Sequence, residues 1–120
     1  QPLYPAAYPG VIGVGATGRG GVAYADGNRG PGTEITAPGV DIVSTAPGSG
    51  FAFADGTSLA TAYVSGALSL LASASGDLAL ARQALFRAAR QPSRATSRIG
   101  VLPPICSALA EAGRPCSAAP

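Results

Sequence analysis

The sequence contains no histidine, lysine, tryptophan or methionine. Without histidine, the chain by itself can build neither a His-ligated metal site nor a nucleophilic serine or cysteine that relies on an imidazole base. Charged residues are also scarce, at 12% of the chain with a net charge of +2. Because this positive charge is so weak, we predict no nucleic-acid partner.

The composition nevertheless predicts a folded protein. The chain has 120 residues, of which 47% are hydrophobic, and a mean hydropathy of +0.28. These values suit one domain and exclude a disordered segment, which combines low hydrophobicity with high net charge. Alanine and glycine are abundant, whereas bulky side chains are few. We therefore expect backbones to approach each other closely in the core.

The two cysteines indicate the cellular compartment in which the protein is expected to function. Cys106 and Cys116 lie near the end of the chain with Gly113 and Pro115 between them. A disulfide closing this short loop is the favoured reading and would place the protein outside the cytoplasm, while two free thiols are the alternative. The chain does not begin with a signal peptide, so an exported form is expected to derive from a longer precursor.

Strand and helix signals fall in different halves of the chain. Short apolar runs bounded by glycine and proline predict strands in the first half, at 11–16, 22–24, 34–37, 40–45 and 51–54. Helical spacing predicts three helices in the second half, at 56–75, 77–90 and 105–112. Asp77 at the start of the second helix matches the helix dipole, as do Arg87 and Arg90 at its end.

The stretch 56–76 contains no charged residue and is long enough to raise the question of a membrane span. Hydroxyl groups recur every three or four positions along one face, which argues against a span. We therefore predict a helix buried in the middle of a protein, with its hydroxyls bonded to the helix itself or to neighbours. The hydroxyl stripe consists of Ser58, Thr61, Ser65, Ser69 and Ser73.

The turn before this helix is the strongest candidate for chemistry. The strand that ends near Phe53 passes through Gly56 directly into the helix, which places Ser58 in the first helical turn. Unpaired backbone N–H groups and the positive helix end can stabilise an oxyanion there, and a glycine turn lets a substrate approach. On local chemistry alone, a simple N-cap role for Ser58 or Thr57 is an equal alternative.

Four ordered segments carry a resemblance to a known family. The segment 55–67, DGTSLATAYVSGA, resembles the motif G-T-S-x-A-x-P-x-V-x-G around the nucleophile of subtilisin-like serine proteases, the subtilase or S8 family. The segment 37–40, APGV, resembles the family strand that precedes this motif at the same interval. The segment 4–16 is similar to Y-P-A-x-Y-P-x-V-I-x-V-G-A, and 28–30 to the S-N-x-G turn. The resemblance extends over residues 3 to 90.

The resemblance implies an α/β fold class: the C-terminal part of a subtilisin-like three-layer fold, with a mainly parallel sheet and a buried central helix. Residues 1–100 would form the C-terminal portion of the peptidase domain. Residues 101–120 would be a C-terminal extension that holds the Cys106–Cys116 disulfide.

The resemblance also implies roles for individual residues. Ser58 would be the nucleophile, and its N–H one half of the oxyanion hole, with Thr57 beside it orienting the developing charge. Gly56 and Leu3 would contribute to substrate binding, Leu3 in the pocket for the residue that precedes the cleaved bond. The sequence departs from the family at Ala62 and Tyr63, where the family has the motif's proline followed by a histidine.

The remaining parts of the site would come from elsewhere. The family's catalytic Asp and His and its oxyanion Asn belong to an N-terminal part of the same protease, which is the implied partner besides a protein or peptide substrate. No cofactor or metal is predicted in this chain, and the resemblance allows calcium in the complete enzyme. The implied location is secreted or periplasmic. The alternative function is a subtilisin-like binding or scaffold module that no longer cleaves, which the change at Ala62 and Tyr63 permits.

Overall fold

The computed structural model describes residues 3–28, 30–90, 100–101 and 105–114. The predicted helices are present, and so are the strands predicted at 11–16, 34–37, 40–45 and 51–54, with boundaries shifted by a few residues. The strand predicted at 22–24 is not formed: Ala23 makes only an isolated antiparallel bridge with Thr17. In chain order the elements are β1 (Val14–Thr17), a 3-10 helix (Arg19–Gly21), β2 (Ile35–Pro38), β3 (Ile42–Ala46), β4 (Gly50–Ala54), α1 (Thr57–Ser75), α2 (Leu78–Ala89), β5 (Gly100–Val101) and α3 (Ile105–Glu111).

Strands β1, β2 and β5 form a parallel sheet with β2 in the middle. Ile35 of β2 pairs with Val14 on one side and with Gly100 on the other, and its side chain is fully buried. Parallel neighbours need a crossover connection, and the crossover from β2 to β5 contains α1 and α2. The architecture is therefore that of an α/β protein with a parallel main sheet, as predicted.

Strands β3 and β4 form a separate antiparallel hairpin that leads into α1. Val43 lies opposite Phe53, and both side chains point into solvent together with Phe51. The hairpin thus has an apolar outer face. Its second strand continues through Asp55 and Gly56 into the helix, so the hairpin determines the direction from which the chain enters α1.

Helix α1 is buried on one side only within this chain. It packs against β1, β2 and α2 through residues spaced four, three and four apart: Ala60, Val64, Ala67 and Leu71. The predicted hydroxyl stripe lies on the opposite face, where all five of its residues are exposed. Among them, Thr61 does bond back to the helix, because its Oγ1 donates to the Thr57 carbonyl over 2.8 Å. The exposed face lacks a covering element within the described residues.

Helix α2 begins at a side-chain cap. The Asp77 carboxylate accepts the N–H groups of Ala79, over 2.6 Å, and of Leu80, over 3.2 Å. This cap satisfies donors that the first helical turn leaves without partners. The helix then buries its alanine-rich face and Leu85 against α1 and α3. The prediction of a helix that starts at Asp77 is confirmed.

The C-terminal segment packs on the domain through α3, which contacts α2 and buries Ala108. Cys106 lies in α3 and is disulfide-bonded. The other cysteine of the predicted pair, Cys116, lies outside the described residues. The domain boundary after residue 100 stays a prediction.

Gly39, directly after β2, is where the sheet and the start of α1 come into contact. Its N–H donates to the Thr17 carbonyl over 2.9 Å, and its own carbonyl accepts the N–H of Gly56 over 2.7 Å. A Cβ added at Gly39 would lie 2.7 Å from both the Ala16 Cβ and the Gly56 carbonyl oxygen. Real Cβ atoms do not approach other atoms this closely, so the position admits no side chain.

Replacing Gly39 with alanine is expected to lower the free energy of unfolding by about 2 kcal/mol or more, because overpacking a tight contact forces its neighbours apart. Gly50→Ala is the matched control, since a Cβ there meets nothing within 4 Å, and should change stability by less than about 0.5 kcal/mol. Urea-induced unfolding followed by circular dichroism measures both. Equal stability of the two variants would contradict the close packing at Gly39.

Candidate active site

Ser58 is the second residue of α1, and its side chain is exposed at the end of the helix next to the β4 exit. Its hydroxyl has no hydrogen-bond partner within the described part of the chain. Thr57, the residue before it, is half-buried, and its methyl lies close to the turn that contains Gly27. The Ser58 hydroxyl is thus accessible, while Thr57 beside it lies against the turn at Gly27.

The first turn of α1 has no side-chain cap. Its N-cap residue is Gly56, so neither Ser58 nor Thr57 fills the N-cap position that local chemistry left open for them. The Gly56 carbonyl accepts the N–H of Leu59, whereas the N–H of Ser58 has no acceptor among the residues that the structure describes. An orphan donor and the positive end of the helix dipole therefore lie next to the Ser58 hydroxyl.

The backbone at Gly56 requires glycine. Its φ of 155° lies in the region that L side chains rarely adopt, and an added Cβ would lie 3.2 Å from the Ser58 Oγ. A side chain at Gly56 would therefore strain the turn and crowd the hydroxyl. The contact between the Gly56 N–H and the Gly39 carbonyl, 2.7 Å long, fixes this turn to the end of β2.

A second tie holds the same turn from the hairpin side. The Asp55 carboxylate accepts the backbone N–H of Asp41 over 2.7 Å. Asp41 adopts a left-handed conformation with φ 56°, which aspartate tolerates better than most residues. This hydrogen bond joins the residue before β3 to the residue after β4. The second of these, Asp55, stands two positions before Thr57.

The structure brings three of the predicted site residues, Gly56, Thr57 and Ser58, into one turn. Leu3 lies in a separate segment at the beginning of the described chain, where its side chain is 47% exposed. Ala62 and Tyr63, the positions that depart from the family motif, are exposed one helical turn beyond Ser58. The described residues contain no group of three or more His, Cys, Asp and Glu side chains that could hold a metal ion.

Sequence reasoning missed the residues that hold the turn. In the sequence, Gly39 marks only a break between two predicted strands and part of the segment 37–40, and no pattern indicates the tie between Asp41 and Asp55. A glycine after a strand signals a close approach, but the sequence does not say to what. The two aspartates are separated by the whole hairpin, so their contact follows from the register of β3 against β4.

Taken together, the fold and the site define an α/β protein in which a serine hydroxyl sits beside an unpaired N–H at the start of a core helix, an arrangement suited to nucleophilic attack with oxyanion stabilisation. The chain belongs to the subtilase family, whose sequence model matches residues 1–101.

Its relatives include known peptidases. Subtilisin BL of Lederbergia lenta is 44% identical over 68 residues, which are 57% of this chain and 25% of that protein. The thermophilic serine proteinase of Bacillus sp. (strain AK1) is 41% identical over 85 residues, 71% of this chain and 21% of that protein. The chain therefore spans about a quarter of the length of these curated relatives.

Solved structures show the same fold. The prenylagaramide maturation protease PagA superposes with a TM-score of 0.75 at 32% identity, covering 90% of this chain and 44% of that one. A protease of Pseudoalteromonas arctica gives a TM-score of 0.77 at 26% identity and covers 91% and 38%. These matches confirm the predicted subtilisin-like fold, of which this chain spans less than half.

Replacing Asp55 with alanine is expected to lower the free energy of unfolding by about 1 kcal/mol, because the Asp41 N–H loses a charged acceptor that water replaces only in part. Asp55→Asn should retain most of the stability, since the amide oxygen accepts the same hydrogen bond. Urea unfolding of both variants measures the difference. A loss as large for asparagine as for alanine would mean that charge, and not this hydrogen bond, holds the turn.

Proposed function

We propose that this chain is the nucleophile-bearing portion of a subtilisin-like serine endopeptidase that hydrolyses peptide bonds in protein or peptide substrates. The observation that carries the proposal is the exposed Ser58 hydroxyl beside a helical turn without a side-chain cap. Membership of residues 1–101 in the subtilase family supports the same chemistry.

In the proposed reaction, the Ser58 Oγ attacks the scissile carbonyl carbon while a histidine from outside this chain accepts the hydroxyl proton and an aspartate orients that histidine. Negative charge develops on the carbonyl oxygen. The N–H of Ser58 and an asparagine from the same outside part stabilise it. The leaving amine takes the proton from the histidine, and water then releases the acyl group from Ser58.

The neighbouring residues take supporting roles in this proposal. Gly56 keeps the approach to the hydroxyl open, because a side chain there would lie against the Ser58 Oγ. Thr57 orients the developing charge. Leu3 lines the pocket for the residue that precedes the scissile bond, and its exposure leaves it available for this contact.

The proposed partner is the N-terminal part of the same protease, which supplies the aspartate, the histidine and the asparagine. A groove of about 770 Å³, mostly apolar, runs along α1 beside β3, on a side of the helix that carries none of the hydroxyl stripe. A large apolar surface left open in a chain that spans 44% of PagA is the surface on which the remainder of such a fold would pack. Residues that line it include Ile42, Leu59, Ala62, Tyr63, Gly66 and Leu70.

The alternative function is a subtilisin-like binding or scaffold module without activity. It rests on Ala62 and Tyr63, which stand where the family has the motif's proline followed by a histidine. Both residues line the groove along α1. Their side chains therefore shape the surface on which the N-terminal part is proposed to pack. They can affect Ser58 only through the helix backbone.

Location and ligands follow from the same proposal. Export to the periplasm or the medium is supported by disulfide-bonded Cys106, because disulfides persist in oxidising compartments. Helix α1 is long and apolar enough to cross a membrane, with a mean hydropathy of 1.2, but the core helices of soluble proteins can be equally long and apolar. We propose no membrane span. We also propose no nucleic-acid partner. Calcium in the complete enzyme stays a prediction, and no step above uses it.

The complete peptidase is expected to react stoichiometrically with a fluorophosphonate probe at Ser58, because the probe reports an activated serine. Ser58→Ala should abolish labelling and lower peptide hydrolysis by about 10³-fold or more. Ser73→Ala, in the same hydroxyl stripe, should leave both unchanged. Mass spectrometry of the labelled peptide identifies the site. Absence of labelling in the unmodified protein would refute the peptidase and favour the binding module.

Replacing Leu70 with serine is expected to destabilise the complete peptidase by about 2–4 kcal/mol, because this side chain would be buried against the N-terminal part. Leu78→Ser is the matched control: Leu70 and Leu78 are 56% and 64% exposed in this chain, but Leu78 does not line the groove. Its effect should stay within about 0.5 kcal/mol. Thermal unfolding measures both, and equal losses would contradict the proposed packing.

A further inference from the structure

A cavity of about 410 Å³ separates the N-terminal segment from the turn before β2. One wall consists of residues from the segment 4–11, including Tyr4, Tyr8 and Gly10, and the other consists of Pro31, Gly32 and Glu34. The walls approach each other at Gly32, where an added Cβ would lie 3.6 Å from the backbone of Ala6.

Arg82 of α2 joins the two walls. Its Nη1 donates to the carbonyl oxygen of Gly10 over 3.1 Å, and its Nη2 lies 3.7 Å from the Oε2 of Glu34. The Arg82 Cζ lies 5.4 Å from the centre of the Phe86 ring, one turn further along α2. This cation–π contact holds the guanidinium over the ring. The guanidinium serves each partner from a different nitrogen, whereas a lysine would have to reach both from one nitrogen.

Among the residues that the structure describes, the other hydrogen bonds of the N-terminal segment 3–11 run within the segment itself. The N–H of Ala7 donates to the carbonyl of Leu3 over 2.9 Å, and the N–H of Tyr8 to that of Pro5 over 3.0 Å. These bonds make the segment a unit, so that Leu3 moves with it. In contrast, Glu34 is anchored to the sheet, because its N–H donates to the Gly13 carbonyl over 2.9 Å. Arg82 therefore connects a locally bonded segment to the body of the domain.

The ion pair contributes little to stability, since the side chains of Arg82 and Glu34 are 39% and 43% exposed and exposed pairs are weak. Its effect is on geometry. A displacement of the segment at Gly10 is passed to Leu3 through the bonds within the segment. We propose that Arg82 is a positioning residue that sets the place of the segment 3–11 and thereby the shape of the substrate pocket that Leu3 lines. This inference rests on the function proposed above.

The test uses the complete peptidase and peptides that differ only in the residue before the scissile bond: alanine, leucine or phenylalanine. Arg82→Gln is expected to raise KM for the preferred peptide about 5- to 10-fold and to reduce the preference among the three peptides by a similar factor, with kcat changed less than about twofold. Arg82→Lys should restore part of the preference, because a lysine reaches one of the two partners. Arg87→Gln is the control: Arg87 is an exposed arginine on the same helix.

The outcomes separate the two proposals. An unmodified protein that neither labels with fluorophosphonate nor cleaves peptides refutes the proposed function itself. An active protein whose Arg82→Gln variant keeps the full preference among the three peptides overturns the positioning role alone. A variant whose apparent kcat and Ser58 labelling fall in proportion while KM and the preference among the peptides stay unchanged overturns it as well, because Arg82 would then act only on stability.

Discussion

The contact between Gly39 and Gly56 is the constraint on which the described structure depends. The carbonyl of one glycine accepts the N–H of the other over 2.7 Å, and the space that a Cβ of Gly39 would occupy is taken by Ala16 and by the Gly56 carbonyl. Residue 39 can make this contact only because it carries no side chain. The end of β2 is thus fixed directly to the turn that begins α1, and Ser58 follows two residues later.

The alanine-rich core follows from the same closeness. Most of the buried apolar residues are alanines, and Ile35, Leu71 and Leu85 are the largest side chains that are fully buried in the described part of the chain. Small side chains let α1 lie close to the sheet and to α2, but they bury little area for each residue. On another side of the same helix, an apolar groove is left open in this chain.

Local features of the fold were predictable from the sequence, and long-range contacts were not. Asp77 marked the start of α2, and Gly56 marked the turn before α1, because caps and glycine turns act over a few residues. The ties between Asp41 and Asp55 and between Arg82 and Gly10 join residues 14 and 72 positions apart, and no periodicity encodes them. The sequence pattern also could not predict that α1 is buried on one side only, because a stripe of hydroxyl residues fits a covered helix face as well as an exposed one.

The two long helices of the chain begin in opposite ways, and the difference bears on Ser58. Helix α2 has the Asp77 carboxylate on its first N–H groups, the stabilising choice for a structural helix. Helix α1 has Gly56, which offers no side-chain acceptor, although the aspartate that could cap it, Asp55, lies one position earlier and binds Asp41 instead. A carboxylate on the Ser58 N–H would neutralise the positive helix end and occupy the donor that an oxyanion needs. The uncapped start of α1 therefore fits the role proposed for the Ser58 N–H, which is to donate to the oxyanion of a substrate.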